Sequence, residues 1–419
     1  MLLESHPIEQ KMGMRFYGTK TEGIGGKLRE TPLDFRVEEI IPDGRIISIE
    51  DEKFSFGADE PGLFTEFILI KKNIESHNAL LKITSALNRN SNDITIAGTK
   101  DKMAYTAQRA TIWKVPPEKL LQVQISGIKI RSPRTTIYQT YLGNLKGNHF
   151  TIRIKDIDIE TEELSNRIEV IFQDIRKFNG LPNYFGHQRF GSKRPVSHKI
   201  GRYVLLGDLK SAINEYLTYI SEDESDTMKN VRRVFIDTND PDEALSIMPK
   251  NMVFEIAILK YLKKNSNDYN GAFNVLPKNL QRMFVHSYQS YIWNMTLSER
   301  MLIGNDLHKH DFDVYENEQP VMPIIGYKTE LPDNSLFDYT KQLLEIDGIK
   351  LEHFEVKAIP SIKFSGSYRN MILKPSNFTY GIERTMKEKD AVITSFSLPS
   401  GSYATVVLRE FMKINPIYF

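Results

Sequence analysis

The chain has 419 residues, enough for two or three domains, and its net charge is +1 at pH 7. It contains no cysteine, which excludes disulfides, thiol nucleophiles and cysteine-ligated metal centres. The near-neutral balance means that any nucleic-acid surface must arise from local clustering of charge. No apolar run approaches the ~18 residues of a membrane helix, and the first residues lack a signal-peptide pattern. We therefore expect a cytoplasmic protein with no membrane partner.

Apolar periodicity predicts alternating strands and helices in the first part of the chain. Strands are predicted at residues 35–41, 67–70, 93–97 and 150–154, and helices at residues 75–87 and 162–178. This alternation is typical of an α+β domain with a mixed or antiparallel sheet.

The pattern becomes mostly helical after residues 179–182, at residues 198–220 and 279–301. Strand-like runs return at residues 392–396 and 404–408, and we expect these last strands to complete the first sheet. The middle of the chain is then an insertion. The predicted segments are residues 1–179, an inserted domain at 180–370, and residues 371–419, which return to the first domain.

A single carboxylate between two lysines is the strongest candidate for chemistry. Asp101 stands between Lys100 and Lys102 in a loop that follows the predicted strand at residues 93–97. The two lysines favour its charged form, which suits covalent catalysis or the abstraction of one proton. The alternative is that Asp101 is a turn former in a charged surface loop.

Two stretches without an acidic residue, 119–155 and 175–207, contain lysine and arginine interleaved with aromatic residues such as Tyr138 and Tyr141. Basic side chains can contact phosphates, and rings can stack on unpaired bases for ~1–3 kcal/mol each. The alternative is solvated surface charge above core aromatics. We predict an RNA-binding surface that contains Lys100, Lys102, Tyr184, Phe185, Gln188, Arg189, Phe190, Lys193, Arg194, Lys199 and Arg202.

Other ligands find less support in the sequence. The glycine cluster at residues 23–27 precedes no strand–helix unit that would make it a nucleotide-binding loop. The nine histidines form no spaced ligand set, so we predict no metal.

The chain resembles the TruD family of transfer-RNA pseudouridine synthases, in particular its archaeal and eukaryotic branch. The resemblance is carried by Pro32, Asp34-Phe35, Val37 and Glu39; Gly98 to Lys102, Ala104 and Thr106; Gly143, Leu145, Gly147-Asn148 and Phe150; Asn183 to Gly186 and Gln188 to Gly191; Arg194-Pro195, His198 and Gly201; His286, Tyr288 to Tyr291 and Asn294; and Leu398-Pro399, Gly401 to Thr405 and Arg409-Glu410. Each motif is short, but their order spans nearly the whole chain.

The resemblance implies a catalytic domain interrupted by a TRUD-type insertion, and an isomerisation of uridine to pseudouridine without cofactor or metal. Asp101 matches the catalytic aspartate, acting either as a nucleophile on the ribose or as a base that removes a ribose proton. Phe150 matches the ring expected to pack against the target base, and Asn148 the side chain expected to orient the aspartate. Bacterial members carry a lysine near the register of Arg29, so either Arg29 or Lys27 is expected to pair with Asp101.

The expected substrate is transfer RNA modified at position 13, with other RNA positions open, and the expected enzyme is a monomer. The target uridine must leave its stack to reach the aspartate. A non-catalytic RNA-binding protein of the same fold is the competing class, and the presence of Asp101 between its lysines argues against it.

Overall fold

The structure of this chain is a computed structural model that describes residues 2–191, 193–304, 310, 313–356, 363–384 and 390–419. Among these residues, no helix combines the length and the apolar character that a membrane crossing requires.

The helices occur throughout the chain but are concentrated in its middle. In chain order they are α1 (Pro7–Gln10), α2 (Ser76–Ala86), α3 (Pro117–Leu121), α4 (Thr161–Lys177), α5 (Ser197–Leu206), α6 (Leu209–Thr218), α7 (Asp226–Thr238), α8 (Pro241–Ile247), α9 (Val253–Lys264), α10 (Tyr269–Asn274), α11 (Lys278–Gly304), α12 (Ser335–Ile346) and α13 (Ala404–Met412).

The strands lie mainly in the first 160 residues and near the C-terminus. They are β1 (Phe35–Ile40), β2 (Phe64–Lys72), β3 (Ile94–Ile96), β4 (Tyr105–Trp113), β5 (Ile128–Thr136), β6 (Gly147–Ile157), β7 (Leu181–Pro182), β8 (Val314–Glu316), β9 (Gln319–Ile324), β10 (Ser367–Asn370), β11 (Ile372–Leu373), β12 (Ser376–Glu383) and β13 (Asp390–Pro399).

One compact unit, here called the sheet unit, contains residues 23–169, 374–407 and 418–419. Its main sheet has the strand order β12-β13-β6-β1-β4-β2-β5, with β3 paired to β4. The β1–β4 pair is parallel, whereas the other pairs are antiparallel. The α+β class with a mixed sheet is thus confirmed, and β13 does join the strands from the first part of the chain.

Strand β2 shows why the sheet is buried on both faces. Phe67 and Leu69 point into a core that includes Ile83 of α2, whereas Ile68 and Ile70 point into a second core on the opposite face. Successive side chains of a strand alternate between faces, so the continuous apolar run at 67–70 fills both cores.

The predicted strand at residues 404–408 is wrong, because this segment begins helix α13. The local run is rich in β-branched residues, but the apolar pattern continues beyond it. Ala404, Val407, Leu408 and Phe411 are all buried and recur at the spacing of one helix face. The five residues at 404–408 alone were too few to show this helical period.

The second compact unit, here called the helical unit, contains residues 1–22, 170–373 and 408–417. Its core surrounds α11, and α5 crosses α11 closely at Gly201. A Cβ at that position would lie 2.0 Å from the backbone oxygen of Phe284, so only glycine allows this approach. The small sheets β10-β9-β8 and β11-β7 also belong to this unit.

Two segments near the ends of the sequence meet inside the helical unit through a buried ion cluster. Arg409 lies 2.8 Å from Glu9 and 2.7 Å from Glu410, and its guanidinium stacks on the ring of Tyr17. The predicted segments 1–179, 180–370 and 371–419 differ from the compact units here, since residues 2–22 and 408–417 belong to the helical unit. Which segments form the functional domains stays a prediction.

Candidate active site

The loop that carries Asp101 connects β3 to β4 in the sheet unit and is held by buried side chains. Ser76, the first residue of α2, accepts a hydrogen bond from the Lys100 amide (2.9 Å) and donates one to the Lys100 carbonyl (3.0 Å). Gln108 of β4 donates to the Gly98 carbonyl at 3.0 Å. The backbone on either side of Asp101 is therefore fixed by two neighbouring elements.

Lys71 also holds the loop that carries Asp101. This lysine of β2 is fully buried, and its Nζ donates to the backbone carbonyl of Asp101 at 2.7 Å. Burial lowers the pKa of Lys71 to about 8, although the carboxylates of Asp101 and Glu75 act in the opposite direction. Lys71 is thus a donor at the base of the loop, directed at the main chain.

Lys100 is committed to a buried ion pair. Its Nζ lies 2.8 Å from Oε2 of Glu39, and the side chains are only 4% and 0% exposed. The other Glu39 oxygen accepts the backbone N–H of Arg109 at 3.2 Å. This pair attaches the loop to the parallel strands β1 and β4.

Arg29 is the cation that faces the Asp101 carboxylate. Its Nη2 lies 2.8 Å from Oδ2 of Asp101, and its guanidinium stands 4.1 Å from the centre of the Phe35 ring. The arginine side chain is 15% exposed whereas the aspartate side chain is 41% exposed. Burial lowers the pKa of Arg29, and the Asp101 charge raises it.

Lys27 does not take this place. Its ammonium pairs with Asp156, which raises the pKa of Lys27, and its backbone bridges Lys155 of β6. The Lys27 side chain is also 54% exposed, so its pairing is that of a surface lysine. Of the two candidates, Arg29 therefore makes the contact with Asp101.

The rings of Phe35, Phe150 and Phe396 form a row along the sheet, here called the aromatic wall. Phe35 meets Phe150 edge-on at 6.2 Å, and Phe150 lies 5.6 Å from Phe396 of β13. Phe150 is 7% exposed, so little of the residue is open to solvent. Asn148 lies two residues before Phe150 on the same face, opposite Glu39, and its Oδ1 is buried without a hydrogen-bond donor among the described residues.

The Asp101 side chain is 41% exposed, and the Arg29 guanidinium that binds it also packs on the Phe35 ring. Arg29 holds Oδ2 of Asp101 in place, and the loop contacts restrict the backbone, so the remaining oxygen is pre-positioned for attack or proton abstraction. Asn148 offers an acceptor that a bound ligand with an N–H or O–H group could satisfy. Within the described residues, no group of three or more His, Cys, Asp or Glu is arranged to hold a metal.

The residues predicted to contact RNA range from exposed to fully buried. Lys102 in the sheet unit is exposed, and so are Gln188, Lys193 and Lys199 in the helical unit. Lys199 forms an ion pair in which its Nζ lies 3.6 Å from Oε1 of Glu215. These four side chains are available to a nucleic acid, and Arg189 is partly exposed.

The other predicted residues have partners within the protein. Tyr184 and Phe190 are fully buried, and the hydroxyl of Tyr184 bonds Ser298 at 2.9 Å. Arg194 donates to the Tyr216 carbonyl at 2.8 Å, and Arg202 pairs with Asp347 at 3.2 Å. Lys100, Tyr184, Phe185 and Phe190 are buried, whereas Arg194 and Arg202 are partly exposed. The contact of each of these residues with RNA stays a prediction.

Sequence reasoning missed Lys71 and Ser76, and it quoted Glu39 only as part of a motif. A signal for Lys71 exists: it follows four apolar residues in a strand buried on both faces, where an unpartnered lysine is costly. The neighbouring Lys72 is exposed, so sequence alone offered no way to choose between the two.

A family model, several relatives and a solved structure all match most of the chain. Residues 11–319 and 314–411 match the family model of tRNA pseudouridine synthase D (TruD). Proteins named "Probable tRNA pseudouridine synthase D" are similar: the one from Methanococcoides burtonii is 31% identical, covering 98% of each chain. The one from Methanopyrus kandleri is 36% identical, covering 85% of this chain and 87% of its own.

A solved structure is also similar. The crystal structure of a Methanosarcina mazei protein assigned as tRNA pseudouridine synthase D superposes with a TM-score of 0.80 and 30% sequence identity, covering 100% of both chains. These matches include the Asp101 loop and the helical unit.

Proposed function

Because the chain belongs to the TruD family of tRNA pseudouridine synthases, we propose that it isomerises uridine to pseudouridine in transfer RNA, chiefly at position 13. The single observation that carries this proposal is the accessible Asp101 carboxylate, bound by the buried guanidinium of Arg29 on a rigid loop. Other RNA positions are secondary targets in this proposal.

The reaction rearranges bonds without gain or loss of atoms. The bond from N1 of uracil to C1′ of the ribose breaks, the base turns, and C5 forms a new bond to C1′. The proton on C5 leaves to solvent and N1 acquires one. No external oxidant, reductant or cofactor enters this balance, so one carboxylate and a site that retains the detached base suffice.

Two roles for Asp101 fit its position. As a nucleophile it forms an ester at C1′, and Arg29 stabilises the carboxylate when that bond breaks again. As a base it removes the C2′ proton and leaves a glycal-like sugar. Deuterium at C2′ separates them, because only the second route breaks that bond and gives a primary isotope effect.

The proposed base pocket uses the aromatic wall and Asn148. The target uridine must leave its stack, at a cost of a few kcal/mol. In this proposal Phe150 offers an apolar contact, and Oδ1 of Asn148 can accept the N–H of the uracil or a ribose hydroxyl. The uracil of the bound uridine carries one such N–H group, at N3, because N1 is bonded to the ribose until the glycosidic bond breaks.

Exposed side chains near the loop supply RNA contacts in this proposal. Lys102 is next to Asp101 and exposed. Tyr141 is 65% exposed, in a turn whose Gly143 amide donates to the Ala97 carbonyl at 2.7 Å, at the start of the Asp101 loop. Cations and rings together are suited to unpaired nucleotides. The active form in this proposal is a monomer.

The test uses unmodified transfer-RNA transcripts that carry either uridine or cytidine at position 13, with pseudouridine mapped to single nucleotides. We expect product at position 13 of the first transcript and none at that position in the second. Product only elsewhere in the RNA would reject the position. Tight binding without any product would reject the reaction and favour an RNA-binding protein.

A further inference from the structure

The helical unit contains a cavity of about 380 Å³ whose lining includes Arg189, Arg282, His286 and Lys363. Its lining residues come from α11, from β9, from the segment at residues 363–367 and from residues 183–191, here called the motif around Phe185. Pockets that hold small ligands occupy roughly 300–1,000 Å³. The cavity is therefore large enough for one nucleotide.

The charge of the cavity is positive. Arg189, Arg282 and Lys363 line it, and no acidic side chain is among the described residues of its lining. Lys363 also meets Glu355 at 2.9 Å, but both side chains are about half exposed, and such pairs are weak. Three cations around one concavity are suited to a phosphate group.

His286 supplies a hydrogen-bond acceptor rather than a fourth cation. Burial, together with the charges of Arg189 and Arg282, lowers the pKa of His286, so the ring is neutral near pH 7. Gln289 donates its amide N–H to the Ile325 carbonyl, which leaves Oε1 to accept from Nδ1 of His286 at 2.9 Å. The remaining ring nitrogen, Nε2, then carries a lone pair.

Aromatic rings form the apolar part of the cavity. The Phe364 ring meets His286 edge-on at 4.9 Å. The Phe185 ring is 6.0 Å from Trp293 and lies beneath the guanidinium of Arg369 at 4.3 Å. These contacts keep both rings in place before any ligand binds, which reduces the entropic cost of binding.

We propose that this cavity holds one ribonucleotide of the bound RNA, with its phosphate among Arg189, Arg282 and Lys363. A hydroxyl or N–H group of that nucleotide donates to Nε2 of His286, and its apolar surface contacts Phe364. The inference rests on the proposed RNA substrate, but it adds a binding site that belongs to the helical unit alone and that does not include the target uridine.

The first test compares two exposed arginines on helices of the same unit, Arg282 of α11 and Arg233 of α7. We expect Arg282→Gln to weaken binding of an unmodified transfer-RNA transcript roughly tenfold, as for a lost charged hydrogen bond. The slope of log affinity against log salt should fall by about 0.7–0.9. Arg233→Gln removes the same charge and should change neither quantity. Equal behaviour of the two variants would overturn the site.

The second test uses the absence of cysteine from the chain. Ser365 lies in the lining and Ser246 lies in α8, and each is exposed with its hydroxyl bonded to a nearby main-chain carbonyl. The transcript should protect the thiol of the Ser365→Cys variant from alkylation, and it should leave that of Ser246→Cys unprotected. Uridine monophosphate at the same concentration should protect neither. Equal protection by the mononucleotide would replace the RNA contact with a free-nucleotide site.

Pseudouridine formation, measured with the same preparations, separates this inference from the proposed function. Product at position 13 without protection of Ser365→Cys would remove the cavity from the RNA interface and leave the enzymatic proposal standing. Protection and the altered salt slope without product would support the cavity while rejecting the isomerase.

Discussion

Arg29 binds the Asp101 carboxylate at 2.8 Å while its guanidinium stacks 4.1 Å above the centre of the Phe35 ring. The ring, in turn, contacts Phe150 on the next strand of the sheet. The cation is therefore fixed between the catalytic candidate and the aromatic wall. An arginine suits this position because its flat guanidinium can stack and donate at the same time.

Replacement of Arg29 should impair the chemical step more than RNA binding. Arg29→Met removes the group that holds Oδ2 of Asp101, and we expect kcat to fall by about 10²–10³, as when one preorganised electrostatic donor is lost. Single-turnover rates at saturating transcript give this value. Lys27→Met is the control, because Lys27 pairs with Asp156, and it should stay within about threefold of the wild type. Equal losses would mean that Arg29 has no special role.

Replacement of one of the two lysines that flank Asp101 should affect stability, and replacement of the other should affect RNA binding. Lys100→Met leaves Glu39 buried without its partner and should lower the free energy of unfolding by about 3–5 kcal/mol. Lys102→Met changes an exposed side chain and should stay within about 0.5 kcal/mol, while the salt slope of RNA binding falls by about 0.7–0.9. Urea unfolding measures the free energy of unfolding, and RNA titration at several salt concentrations measures the salt slope of binding. A stable Lys100→Met variant with a reduced salt slope would contradict the assignment.

Lys71 predicts a pH dependence of stability with a defined sign. Its pKa falls from 10.5 to about 8 on folding, so between these pH values the unfolded chain binds the extra proton. The free energy of unfolding should therefore rise with pH in this interval. Lys71→Met should remove about 1–3 kcal/mol of that rise between pH 7.5 and 10.

The comparison of wild type with Lys71→Met isolates this contribution in urea unfolding. Lys413, whose pKa is also lowered by burial to about 8, is present in both proteins and cancels from the difference. If the free energy of unfolding depended on pH in the same way in the two proteins, Lys71 would have its ordinary pKa, and this prediction would be wrong.

Tyr141 should contribute to RNA binding without a charge effect. The loss of its ring in Tyr141→Ala removes one stacking partner, and we expect a cost of ~1–3 kcal/mol with an unchanged salt slope. Trp113→Ala is the control, because this exposed ring stands at the opposite end of β4 from Tyr105, where the Asp101 loop enters the strand. If both rings matter equally for affinity, stacking is not confined to the vicinity of the loop.

The local geometry of the site was only partly accessible from the sequence. The apolar run at 67–70 and the strand before Asp101 were readable because strand periodicity is a local property. The choice between Arg29 and Lys27 was not, since the Arg29–Asp101 contact joins residues 72 positions apart. Asp156, which pairs with Lys27, is even more distant from its partner in the sequence.

The aromatic and basic residues of the motif around Phe185 show a second limit. The interleaving of rings and cations is the same whether the rings face RNA or the core. Tyr184 and Phe190 proved to be core residues, while Gln188 between them is exposed. Only packing against α11, through contacts such as Tyr184 with Ser298, distinguishes these positions.

The most direct measurement is release of tritium from transfer RNA that carries uridine labelled at C5, with wild type, Asp101→Asn and Asp43→Asn compared. Asp43 is a half-exposed aspartate of the sheet unit that pairs with Arg45, so its replacement controls for loss of a carboxylate. We predict release by the wild type and by Asp43→Asn. Asp101→Asn should bind RNA with unchanged affinity and release nothing. Wild-type release rates with a folded Asp101→Asn variant would contradict the assignment of the catalytic carboxylate.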